Sequence, residues 1–89
     1  MMEVEVVDIR KASGEGKLRA FADVKFGGSL IVKGFCVLEG VKGAFVRVPS
    51  KSTKDGRWLD TIAVDDFLKP EVETKVMEAY EREVDGVDS

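Results

Sequence analysis

Basic side chains gather around one proline-broken stretch, Phe45-Val46-Arg47-Val48-Pro49-Ser50-Lys51, which continues Ser52-Thr53-Lys54-Asp55-Gly56-Arg57-Trp58. Guanidinium and ammonium groups at this density are donors for phosphate oxygens. Residues 42–57 hold five Lys/Arg against Asp55 alone, a local charge of +4. Arg47, Lys51, Lys54 and Arg57 are therefore the candidate phosphate contacts. Each also has a plainer reading. Lys51 is equally an exposed loop lysine, Lys54 and Arg57 are charges that keep a turn soluble, and Arg47 is a partner for a cross-strand carboxylate. Phe21, Phe45 and Trp58 are either rings that stack on bases or apolar contacts of a core or dimer.

The rest of the chain is less basic. Its 89 residues carry a net charge of −3. Residues 1–64 contain eleven Lys/Arg and eight Asp/Glu, and residues 65–89 contain three and nine, so the halves stand at +3 and −6. A local cationic field survives such a balance because salt screens charges beyond about 8–10 Å.

Enzymatic chemistry finds little support. The sequence has no histidine, the commonest general base and metal ligand. A single cysteine excludes the Cys-x-x-Cys zinc patterns, and no Walker-type glycine loop occurs. The expectation is a non-enzymatic protein with no cofactor, metal or small-molecule substrate. Asp65 and Asp66 read as helix-entry caps before metal ligands, and Ser50 as a turn former. Cys36 has no internal disulfide partner and reads as buried and inert, which suits a reducing, cytoplasmic setting. No run of about 18 apolar residues would span a bilayer, and the alternating N-terminus is unlike a signal peptide.

The elements that must hold these residues follow from periodicity. Met2, Val4 and Val6 alternate with Glu3 and Glu5 as a half-buried strand; Val6-Val7 breaks phase, which calls for a bulge or for burial on both faces. Ser13-Gly14-Glu15-Gly16 is a turn. Leu18, Ala20, Ala22, Val24 and Phe26 form the apolar face of the next strand, and Gly27-Gly28 closes a hairpin. Leu30 to Leu38, apolar on both parities apart from Lys33, reads as a central strand with Gly34 as a kink or a close contact. Ala44 to Val48 is a strand ended by Pro49, which has no N–H to donate. Asp55-Gly56 reverses the chain into a short strand over Trp58–Val64.

Val72, Val76, Tyr80 and Val84 then define a helix with Pro70 in its first turn, Glu71 and Glu73 at its positive end and Gly86 as its stop. The expected fold is α+β. An antiparallel sheet of about five strands carries one C-terminal helix in a single domain over 1–89, with a flexible acidic tail at 85–89.

Several of these pieces together resemble the SpoVG septation-regulator family of bacteria. They are Val7-Asp8-Ile9-Arg10, Gly16-Lys17-Leu18-Arg19-Ala20, Gly43-Ala44-Phe45-Val46-Arg47-Val48-Pro49-Ser50-Lys51, the following Asp55-Gly56, Trp58, Asp60 and the helix with Tyr80. The resemblance covers roughly residues 2–84. It implies a small dimeric domain that binds DNA and RNA and regulates gene expression, sporulation and septation, and it adds Lys69, at the helix start, to the nucleic-acid contacts. The chain departs from the family pattern at Ser52, Leu59 and Ala63-Val64-Asp65-Asp66, and at Glu71 after Lys69-Pro70. The fold therefore transfers more safely than sequence specificity.

Two functions remain in view. In the first, a homodimer paired through edge strands presents two copies of the 47–57 loop to DNA or RNA. In the second, the chain is a protein-interaction adaptor that uses its acidic C-terminal helix and tail.

Overall fold

The computed structural model describes residues 2–12 and 16–85. The turn expected at Ser13–Gly16 therefore lies largely outside the described residues, as do the Gly86 stop, most of the acidic tail and the side chain of Val84. Four strands form an antiparallel sheet in chain order: β1 (Val4–Lys11), β2 (Leu18–Phe26), β3 (Leu30–Gly40) and β4 (Gly43–Arg47). A second, two-stranded sheet pairs β5 (Ser50–Ser52) with β6 (Trp58–Asp60), and helix α1 (Lys69–Asp85) follows. The α+β class is as expected, but the strands fall into two sheets where one meander of about five was anticipated. Pro49 is the reason: it donates nothing to a ladder, β4 stops at Arg47, and the chain restarts as a separate hairpin.

Phase shifts in the sheet explain the irregular alternation. The β1–β2 register slips between Val6 and Asp8, so Val7 is the bulged residue and stands half-exposed. An extra residue reverses which parity faces inward, and Val6 and Ile9 both pack against the core. The same happens in β3. Val32 pairs with Val24 and Phe35 with Ala22, and Gly34 is left over with φ +99°, a conformation that favours glycine. Leu30–Leu38 is a central strand as expected, lying between β2 and β4. Its double parity also records a bulge, with Phe35 and Val37 inward and Cys36 and Leu38 outward. A third slip, between Leu18 and Ala20, takes Leu18 off the face it was expected to share with Ala20 and Ala22.

The inner face carries Ala20, Ala22, Val24, Phe35 and Val37, all with no exposed surface, and α1 covers it with Val72 and Val76. Small alanines on β2 let the helix approach, and the Phe26 and Phe35 rings meet at 6.2 Å in a tilted pair. Met77 and Tyr80 extend the helix contact. Asp65 prepares the helix: its carboxylate accepts the Leu68 N–H at 2.9 Å and its carbonyl the Lys69 N–H at 2.9 Å. It is thus a cap, as its position suggested.

The strand expected over Trp58–Val64 ends at Asp60. The Thr61 N–H and hydroxyl both donate to the Pro49 carbonyl, at 2.8 and 3.1 Å. Before Pro49 there is no continuing β5 strand for residues 62–64 to pair with. Val64 and Leu68 instead pack under the helix start. No helix among the described residues is long and apolar enough to cross a membrane.

Phe35 is wholly buried between sheet and helix, so Phe35→Ala is expected to cost about 3–5 kcal/mol. Urea unfolding at neutral pH checks this, with half-exposed Phe45→Ala expected to cost clearly less.

Candidate nucleic-acid interface

The five basic residues singled out by sequence do not form one continuous row. Arg47, at the end of β4, lies opposite Cys36 and so projects from the face away from α1. Its guanidinium stands 3.9 Å from Asp60 on β6. Together with Lys69 it lines a cleft of about 520 Å³ between the free side of β4, residues 60–64 and the helix start. Lys51 lies on β5 opposite Leu59, and Lys54 is in the hairpin turn; both are exposed.

Arg57 is partly committed to the turn itself. Its Nε donates to Asp55 at 3.1 Å, and its backbone N–H donates to the Thr53 hydroxyl oxygen at 3.2 Å. The Thr53 hydroxyl donates to the same Asp55 carboxylate. The Thr53 hydroxyl first, then Asp55's own backbone N–H and Arg57, hold the Asp55 carboxyl below the usual carboxylate range. The turn closes through Thr53 N–H to the Arg57 carbonyl at 2.7 Å, with Gly56 at φ +85°. Among the described residues, Lys51, Lys54 and Lys69 enter no ion pair. Ser50, read as a turn former, is a strand residue opposite Asp60.

The hairpin leans over the outer face of the main sheet and leaves a groove of about 720 Å³ beneath it. Phe21, Cys36 and Leu38 lie along the sheet with Lys33 and Arg47, and Pro49 and Trp58 belong to the covering segment. Trp58 is 61% exposed and Phe45 50%, so neither is a core ring within this chain. Cys36 is half-buried, not buried as expected. Its thiol points to the Gly34 carbonyl at 3.6 Å, and burial pushes its pKa up while Arg47 pulls the other way. Lys33 was not among the predicted contacts. Its signal in the sequence was its place as the one cation in an apolar strand.

Further along this face the charge is already balanced. Arg10 grips Asp23 through two guanidinium nitrogens at 3.1 and 3.3 Å and also pairs with Asp8. The Arg10 hydrogen bond, assisted by the Gly34 N–H and by the charge of Lys33 on the neighbouring strand, holds the Asp23 carboxyl below its ordinary range against the opposing effect of burial. Among the described residues, no cluster of three or more His, Cys, Asp or Glu is arranged to hold a metal.

The architecture thus defines a class: a small α+β domain with one helix on one sheet face and a basic, aromatic-bearing hairpin on the other. Comparison with known proteins makes this specific. The SpoVG family model matches residues 2–82, and the chain belongs to the SpoVG family. A relative from Archaeoglobus fulgidus is 36% identical over 84 residues, covering 93% of this chain and 99% of its own length. One from Clostridium beijerinckii is 33% identical over 84 residues, covering 93% and 92%. Both carry the SpoVG septation-protein name.

Because the Asp23 carboxyl is depressed in the folded state, its contribution is present above the ordinary aspartate pKa of about 3.9 and is lost as pH falls through the lower folded value. Asp23→Asn should therefore be less stable than the parent at pH 7. Urea midpoints measured from pH 7 to pH 2 should show the gap holding down to roughly pH 4 and closing below it.

Proposed function

We propose that this protein is a SpoVG-type nucleic-acid-binding regulator. It acts on DNA or RNA in gene regulation and septation, as a non-enzymatic cytoplasmic homodimer. The observation that carries this is the pair Lys51 and Lys54, exposed on the β5–β6 hairpin and uncommitted to any carboxylate among the described residues. Arg47 and Lys69 share the neighbouring cleft and extend the cationic surface. The Arg47–Asp60 contact does not oppose this reading. At 3.9 Å, with both side chains about half-exposed, such a pair is weak and is readily exchanged for a phosphate. Arg57, already engaged by Asp55, contributes more to the turn than to the ligand. The septation names of the relatives supply the biological setting.

Edge pairing offers a route to the dimer. β1 and β4 are the outer strands of the main sheet, and joining two such edges removes unpaired backbone groups from solvent. The adaptor reading also has an observation in its favour: Glu78, Glu81 and Glu83 are exposed on α1, a face suited to a basic protein partner.

Binding dominated by phosphates falls steeply with salt, with a log–log slope of about −0.9 per phosphate neutralised on duplex DNA. Gel shifts across a salt series with random duplex DNA should show binding at low salt, and Lys51→Ala should weaken it and flatten the slope by about one phosphate. Absence of binding at low salt, with Lys51→Ala matching the parent, removes this reading. If partner capture is lost only when the chain is cut after Val84 and survives Lys51→Glu, the adaptor takes its place.

A further inference from the structure

Phosphate contacts along the hairpin leave the groove beneath it unused. We propose that this groove receives the unpaired bases of single-stranded nucleic acid: Phe21 and Trp58 lie against base faces, while Lys33 and Arg47 hold the adjoining phosphates. This inference rests on the nucleic-acid reading above and adds the strand state of the ligand.

Three features carry it. The groove's sheet side and its cover are apolar, from Phe21, Cys36, Leu38, Pro49 and Trp58, yet the charged residues that line it are two cations with no carboxylate. Flat apolar surface edged by positive charge matches a chain whose bases are planar and whose backbone is anionic. Second, Trp58 keeps 61% of its surface in water within this chain, at a position where strand pairing with Ser52 fixes its direction. A duplex keeps its base faces stacked internally and exposes only their edges, so an aromatic surface gains little from it. Unpaired bases offer those faces freely.

The third feature weighs against a second copy in the same groove. A two-fold contact sets the same patch against itself. Lys33 and Arg47 of one subunit would then meet their own kind, and the nearest carboxylates, Asp23 opposite Lys33 and Asp60 beside Arg47, already answer cations of the same chain. The nearby Asp60, Arg47's partner, lines the cleft on the other side.

Trp58 is the only tryptophan in the chain, so its fluorescence reports directly on the groove. The full-length protein is titrated with oligothymidylate, with oligouridylate and with a duplex, each about 20 nucleotides long, enough to cover one small domain. Quenching of Trp58 by the single strands and not by the duplex is expected, and the two homopolymers separate DNA from RNA use. Phe21→Ala should weaken single-strand binding about tenfold or more. Trp58→Phe should retain most of it and Trp58→Ala should not, while duplex binding stays as in the parent. Lys51→Ala should weaken both ligands.

Several results overturn the proposal. If the duplex binds but single strands leave Trp58 emission unchanged, the groove inference falls and the phosphate reading stands. If neither nucleic acid binds, both fall. If sedimentation shows that Trp58→Ala dissociates a dimer while single-strand affinity is unchanged, the groove belongs to a second subunit and the proposal is wrong.

Discussion

A sheet has two faces, and this chain builds one helix to cover them. That imbalance governs the rest of the structure. α1 takes the inner face because Ala20 and Ala22 make it shallow and Val24, Phe35 and Val37 make it apolar; Val72 and Val76 are buried against it. In a domain of this size each such residue matters, since a short chain buries only a modest share of its surface. The outer face must be served by what remains, a three-residue strand pair and the segment around Pro49. That cover is partial, and its incompleteness creates the groove.

The outer face would be simpler without the bulges. Slips at Val7, near Arg19 and at Gly34 re-aim individual side chains while leaving the inner layer continuous. At Gly34 the left-over residue also brings its N–H to Asp23 and its carbonyl to the Cys36 thiol. The Arg10–Asp8–Asp23 group, with Lys33 opposite Asp23, balances the charge at one end of the face, and Lys33 and Arg47 line the apolar groove that follows. Fold and outer face are therefore coupled through backbone irregularities more than through any single contact.

Charge pairing sorts the basic residues in a similar way. Asp55 is used to shape the hairpin tip, which draws in Arg57, while Lys54 beside it in sequence stays in solvent. Asp60 reaches Arg47 only at long range. These local differences decide which cations remain unpaired among the described residues.

Much of this was legible in the residues alone. The alternating strands, the glycine turn at Gly27-Gly28, the Asp-Gly reversal, the capping aspartate and the Val72–Val76–Tyr80 stripe are local signals, each set by backbone conformation or by a short period. The broken phase at Val6-Val7 left a bulge or burial on both faces, and the register with β2 decides for the bulge. What the chain could not announce was the direction of Leu18, the half-exposure of Cys36, the shortness of β6 and the split into two sheets. Each depends on which distant segment offers a hydrogen-bond partner, and Pro49 decides that by what it withholds. The candidate site divided along the same line. Its residue types and spacing were written in the sequence, and Arg57 meets Asp55 within its own turn, whereas the partner of Arg47 and the grouping of Lys33 with Trp58 arise only when the hairpin folds across the sheet.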